Sequence, residues 1–488
     1  MAARFNGTRI LAQELDSKPE QKVQLKKQIT LFHCVSIIVG IIIGAGIFVS
    51  PVGILYNVHS VGMSCVLWAL CGVYSTLCAL CFAELGASIP ESGGEYVYIK
   101  RAFGDCPAFL CLWVNLIILC PVGVAAASLI FATYTLRPVF PDCDPPSSSI
   151  RLLAAIIIIL LIALNCMNVK WATKVQAVIT TSKLIALFII IIIGFMWLGK
   201  GETAQFENSF EGSDYSAGAI AVGFYSGFWA FGGWNYLNFL CDEVIDPHRN
   251  VPRAIVISMT IVTSVYITAN IAYFAVLTPA EMLDSTAVAV TFSARTVPVL
   301  QWIMPVLIAV SVIGAMNGSC LSMSRLFFAG AKHNHLPSFI SMITLKHLTP
   351  APSLIVILIL TLLMQCFENI FYLIEMMGFS FATVLCAVLA GQVYLRWKEP
   401  DMPRPIKLPV AIPIFLFMVS VLIFILTIYQ KPNESGVALL LMLLGLPVYV
   451  IGTVWSKPAS VKHKLDSLTR LIQLILIVLP VDKDDNSD

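Results

Sequence analysis

A chain of 488 residues that is 58% hydrophobic and 12% charged, with a mean hydropathy of +0.87, excludes a soluble globular protein. Its formal net charge of +2 is too small for a nucleic-acid partner. The composition leaves an integral membrane protein. Stretches apolar enough to cross a hydrocarbon core of ~30 Å recur about twelve times. They fall at 32–57, 61–89, 107–133, 152–164, 175–198, 217–241, 254–277, 297–329, 352–367, 370–395, 409–428 and 437–455, the fourth and ninth being short. Residues 1–30 are polar and charged, which predicts a cytoplasmic segment rather than a secretory signal. Of the 30 lysines and arginines, only Arg137, Arg151, Lys200, Arg295 and Lys431 fall in loops on the side opposite the N-terminus, so both termini are expected inside.

The first span is punctured by Gly40, Gly44 and Gly46. Each glycine costs a helix up to ~1 kcal/mol and frees the backbone to unwind. In a membrane, unwound backbone survives only where it lines a cavity or binds something. The amides of Gly44, Ala45 and Gly46 would then open a new half-helix whose N-terminal dipole suits a carboxylate. A close helix contact through Gly40 and Gly44 is the competing reading. Far downstream, Gly223, Gly227, Gly232 and Gly233 interrupt the sixth span. Two interrupted spans in corresponding halves are the sequence mark of a secondary transporter with its site at the membrane midplane. The division expected is a 1–30 N-terminal segment, two inverted repeats at 31–198 and 199–397, two further spans within 398–456, and a C-terminal helix and tail at 457–488.

Between the second and third spans, Ser92-Gly93-Gly94-Glu95-Tyr96 reads as a cytoplasmic turn, with an inner gate as the other option. Cys120-Pro121 predicts a disturbed third helix, since proline removes a donor. Of 14 cysteines, Cys143 alone falls in a plainly extracellular loop, where either an intermolecular disulfide or a free thiol fits. Lys183, in the fifth span, costs ~2.5–3.5 kcal/mol unless it snorkels or finds a partner such as the carbonyls of an unwound helix. Asp242 and Glu243 close the sixth span and suit an inner gate network, while Glu84, Arg325 and Glu375 are expected to pair locally. His333-Asn334-His335 reads as a solvated loop in preference to a metal site. Residues 465–476 carry apolar positions at helical spacing beside Lys462 and Lys464, the pattern of a helix lying on the membrane surface. There is no phosphate loop, zinc-spaced cluster or serine elbow, so neither an enzyme, a cofactor nor a metal is implied.

VSIIVG at 35–40, GAGIFVSP at 44–51, CFAELG at 81–86, FGGWNYLN at 231–238 and RPIK at 404–407 together resemble the light subunits of heteromeric amino acid transporters, nearest the L-type and aromatic-preferring members. The resemblance runs over nearly the whole chain. It implies an all-α membrane protein of about twelve transmembrane helices, a LeuT-like 5+5 inverted repeat with unwound first and sixth helices. It further implies sodium-independent exchange at the plasma membrane, with a single-pass glycoprotein heavy chain bonded through Cys143. By motif position, Gly44, Ala45 and Gly46 would take the substrate carboxylate, and carbonyls around Ile43, Trp229, Ala230 and Gly232 the α-amino group. Trp229 would gate the site, Asn235 would assist on the second half-helix, and Lys183 would replace a sodium ion. Where relatives for dibasic substrates carry Asp, this chain has Gly233, and where many carry a basic residue before the third-span proline it has Cys120. Ala382 stands where several relatives have tryptophan. The three together imply neutral substrates with large, aromatic side chains. A transport-dead amino acid receptor, an exchanger of broader small neutral substrates and a channel are the alternatives, the last lacking any ring of like charges.

Overall fold

The computed structural model describes residues 28–480, leaving aside 45, 90, 141–144, 168, 286–287, 298, 346, 348, 367–369, 431 and 456–457. The chain is all-helical in architecture. Among the described residues, β-pairing is confined to Ile343–Thr344 with Val478–Leu479 and a single bridge between Ile29 and Val244.

Among those residues, nine helices are long and apolar enough to cross a membrane. Leu31–Ile42 and Gly46–Val58, bent by 43° at their junction, make a tenth if they count as one broken span. Two shorter apolar helices, Ala217–Ala230 and Ala351–Met364, occupy the sixth and ninth expected segments. The sixth is short because its glycines end it. After Ala230 the N–H of Phe231 turns back to the carbonyl of Phe228 and that of Gly232 to Trp229, and Gly233 takes φ 115°, where a side chain is strained. The chain resumes as a 3-10 helix, Tyr236–Glu243. In the third span the predicted disturbance is a π-helical turn, Asn115–Leu119, directly before Cys120-Pro121. A wide turn relieves the missing proline donor at this point.

The faces of Ala411–Gln430 and its neighbour Ser435–Val454 stay largely uncovered, with Phe415, Met418, Leu422 and Ile425 exposed at helical spacing. That is the side-chain pattern of a helix against lipid. At the other extreme, helix Leu31–Ile42 packs against Pro247–Val276, Val169–Gly199 and Leu300–Lys332, which places the first break in the middle of the bundle. The loop at His333 and His335 is only partly solvated. His335 is buried and hydrogen bonds through its ring to the Tyr96 hydroxyl at 2.8 Å, while the His333 ring meets Lys100 Nζ at 2.8 Å. Burial, aided by Lys100, holds the His333 pKa down to about 4, so its neutral ring can accept from the lysine. The helix expected at 465–476 is part of Ala459–Leu476, with Leu471, Leu474 and Ile475 exposed.

Candidate functional site

The first helix ends at Ile42. Ile43 leaves helical geometry at φ −73°, ψ 84°, and the Gly44 N–H folds back to the carbonyl of Ile42 at 2.8 Å. Carbonyls beside such a break have lost their helical donors. Lys183, only 1% exposed, replaces them: Nζ donates to the carbonyls of Gly40 at 2.6 Å, Ser311 at 3.0 Å and Ile43. This lysine therefore does not snorkel. The Tyr266 hydroxyl lies within hydrogen-bond distance of the carbonyls of Ile42 at 2.8 Å and Ala230 at 3.2 Å, so one side chain touches both breaks.

The two breaks also meet directly. A Cβ on Gly46 would lie 2.6 Å from Ala230 Cα, and one on Gly233 would lie 2.5 Å from Ile41 Cγ2. Around this junction opens a cavity of about 160 Å³. That is room for roughly ten waters, far more than a hydration site needs. From the breaks, Gly44, Gly46, Trp229, Ala230, Gly232, Gly233 and Asn235 line it, facing Tyr225, Phe228, Phe381, Met316 and Met377. Small backbone-exposing residues on one wall and aromatic or sulfur-bearing ones on the other form an amphipathic site of the kind small ligands use.

Four of the expected site residues are placed elsewhere. Ile43 is not among the lining residues, since its carbonyl is taken by Lys183 and the Ser311 hydroxyl; Ile41 and Ile42 line the cavity instead. Lys183 sits behind the break, not in the cavity. Cys120 is buried next to the lining residues Leu119, Gly123 and Val124 without lining the cavity itself. Ala382 is likewise buried off the wall, which is made by Met377, Gly378 and Phe381. The space attributed to Ala382 is thus left by Gly378 and by Gly123, across from it. Ala45 and Cys143 lie outside the described residues.

Among the lining residues that escape the sequence reading are Glu95 and Asn115. Glu95 was read as part of a turn, yet it opens helix Glu95–Phe103 and is 1% exposed. Its Oε2 accepts from Asn235 Nδ2 at 3.0 Å and its Oε1 from Asn115 Nδ2 at 3.4 Å. Asn115 was detectable as a lone carboxamide inside the apolar run WVNLIIL.

A family profile described as amino acid permease matches residues 29–452. The chain belongs to the amino acid permease family. Over nearly its whole length this permease is similar to light subunits of heteromeric amino acid transporters. It is 44% identical over 485 residues to the large neutral amino acids transporter small subunit 2 of Rattus norvegicus, covering 97% of this chain and 91% of the relative. It is 42% identical over 462 residues to the cystine/glutamate transporter of Homo sapiens, covering 94% and 92%. It is 39% identical over 467 residues to the Asc-type amino acid transporter 1 of Mus musculus, covering 94% and 88%.

Beside residues 28–30 of this permease, where the amides of Gln28 and Ile29 reach the Glu243 carbonyl, lies a buried polar layer. Arg325 Nε donates to Glu243 Oε1 at 2.6 Å with both side chains 1% exposed. Ser92 and Asp242 exchange hydrogen bonds, and the Tyr98 hydroxyl donates to Asn238 Oδ1 at 3.0 Å. The turn of Gly93 and Gly94 therefore packs into this layer; a Cβ on Gly94 would lie 2.6 Å from the Phe239 ring. Glu84 pairs with Arg396 at 2.7 Å at the same end. Glu243→Gln leaves the Arg325 guanidinium buried without its countercharge. It should destabilise this form by ~3–5 kcal/mol, read as a lowered unfolding temperature of the purified protein. An unchanged transition would show that water reaches Arg325.

Proposed function

We propose that the protein is a sodium-independent exchanger of neutral amino acids with large, aromatic side chains. In this reading it works by alternating access at the plasma membrane, with both termini cytoplasmic, as the light chain of a disulfide-linked heterodimer. The observation that carries it is the ammonium of Lys183 on the carbonyls of Gly40 and Ile43 at the first break and on that of Ser311 in the helix packed beside it. A fixed cation there performs the charge-balancing and break-bridging that a bound sodium ion would otherwise perform, so substrate binding needs no co-ion.

The half-helix beginning at Gly46 aims its free amides at the cavity, which suits a substrate carboxylate at Gly44–Ala45–Gly46. Carbonyls of Ile41, Ile42, Trp229 and Ala230 then surround the α-amino group. The aromatic wall of Tyr225, Phe228, Trp229 and Phe381 suits a large apolar side chain. Trp229, partly exposed at the end of its helix, is placed to close over that side chain. Such closure supplies the differential affinity between open and occluded states without which a ligand shifts nothing. The broken pair, the nine long helices and the two short ones are read as a twelve-span LeuT-like bundle of two inverted repeats.

Efflux of preloaded amino acid tests the proposal. External phenylalanine should accelerate it to the same extent in sodium and in choline medium. A protein that binds phenylalanine with no accelerated efflux would be the receptor alternative, and equal acceleration by alanine would favour the broader small-neutral exchanger. The heavy-chain bond has its own test. Cys143→Ser should remove the reducer-sensitive high-mass band on a non-reducing gel while some non-covalent complex survives, and a persisting band refutes the assignment. Each of the 13 other cysteines is unpaired in the structure.

A further inference from the structure

Glu95, Asn115 and Asn235 form a polar floor in a cavity whose other polar side chains are the hydroxyl-bearing Tyr225, Tyr236 and Ser319. All three are at least 99% buried. Both oxygens of Glu95 accept N–H groups. Because each carboxamide turns its nitrogen to Glu95, its oxygen is left over. No described group donates to Asn115 Oδ1 or Asn235 Oδ1. Asn115 is fixed in this orientation, since its Nδ2 also donates to the Cys111 carbonyl at 3.0 Å. Asn235 has no such second anchor for its Nδ2, and Glu95 alone sets which end of its amide is turned away. Among the described lining residues none is cationic.

We infer that Glu95 is a specificity-determining residue of the substrate site: through Asn235 it makes the cavity floor an acceptor surface, which takes substrates whose side chains donate hydrogen bonds and rejects those that only accept. This rests on the transport reading above and extends it. A donor at the end of a substrate side chain satisfies an amide oxygen that is otherwise buried unpaired. An acceptor in the same place faces oxygen against oxygen, with the Glu95 carboxyl behind it. A buried mismatch of this kind changes affinity by roughly tenfold or more. Selection against side-chain carboxylates then follows from the floor itself, independently of Cys120.

The test uses two pairs of competitors of matched size against phenylalanine uptake by the full complex. They are 4-aminophenylalanine with 4-nitrophenylalanine, and glutamine with glutamate. In the native protein the donor member of each pair should compete better, by roughly tenfold for the neutral aromatic pair. Glu95→Gln turns one oxygen into an N–H₂ donor. Asn235, free to rotate its amide, then turns its oxygen to residue 95 and its N–H₂ to the cavity. The amino-to-nitro and glutamine-to-glutamate preference ratios should both fall by roughly tenfold. The ratios are internal, so a general loss of transport does not move them, whereas a merely structural role for Glu95 would leave them as they were. Ratios unchanged within twofold in Glu95→Gln overturn the inference. If that variant does not reach the membrane, the native ratios decide: equal competition by both members of both pairs overturns it. Absence of phenylalanine uptake by the native complex would instead bring down the transport reading, a different and distinguishable failure.

Discussion

Lys183→Ala is expected to reduce phenylalanine uptake by roughly thirtyfold or more, with no recovery when sodium is added. The ammonium holds the carbonyls of Gly40, Ile43 and Ser311; without it Ile43 keeps the Ser311 hydroxyl and Ser311 its place inside helix Leu300–Lys332, whereas Gly40 keeps no donor among the described residues. One buried carbonyl left unpaired costs about 1–3 kcal/mol and the charge-assisted hydrogen bonds lost at the other two about 1.5–3 kcal/mol each, so the intact break loses at least roughly 2 kcal/mol relative to other arrangements. At 1.4 kcal/mol per decade, the lower end already gives the thirtyfold figure. Sodium does not restore activity because the space vacated by one ammonium lacks the several oxygen ligands at fixed distance that a metal cation needs. Lys183→Arg should fail as well, since a Cβ at Gly314 would already lie 3.1 Å from Nζ and the larger guanidinium has no room. Uptake in Lys183→Ala within threefold of the native level would show that the break holds without its clip.

Gly46→Ala should be comparably severe for a different reason. The added methyl would lie 2.6 Å from Ala230 Cα and 2.8 Å from its Cβ. Carbon atoms rest near 3.5–4.0 Å, so the two backbones must part by about 1 Å. Backbone cannot yield as a side-chain tip can. The parting breaks the registry by which Tyr266 reaches both Ile42 and Ala230, and it moves the amides of the second half-helix away from the carbonyls opposite. Transport should fall steeply while the protein still reaches the membrane. The matched control is Gly436→Ala, in a helix where a new Cβ meets nothing within 4 Å. There the substitution should be neutral or slightly stabilising, by about 0.4–1 kcal/mol. Equal losses from both variants would mean that the contact between Gly46 and Ala230 is incidental.

Several features needed no tertiary structure because they depend on local chemistry. Three glycines within seven residues make a break at 43–46 one of two readings on local chemistry, the other being a close helix contact, and the interrupted sixth span decides for the break. Gly232 and Gly233 gave the second break on the same ground, and the membrane class followed from apolar run length. Lys183 was legible as a functional candidate because an ammonium inside an apolar run is costly wherever it points.

What only the folded chain decided are the matters of direction and partner. Whether Lys183 snorkels depends on which carbonyls lie within reach, and those of Gly40 and Ser311 are 143 and 128 residues away in sequence. Ala382 and Cys120 carried plausible roles by motif position, yet each sits one helical turn from a residue that lines the cavity, Gly378 and Val124, without lining it itself, a difference that sequence spacing does not reveal. Glu95 looked like a turn residue because nothing in Ser92-Gly93-Gly94-Glu95 reveals that Asn115 and Asn235, 20 and 140 positions on, converge on its carboxylate. A residue's type fixes what it can donate, accept or fill. Which of these it does depends on neighbours that the packing of distant segments supplies.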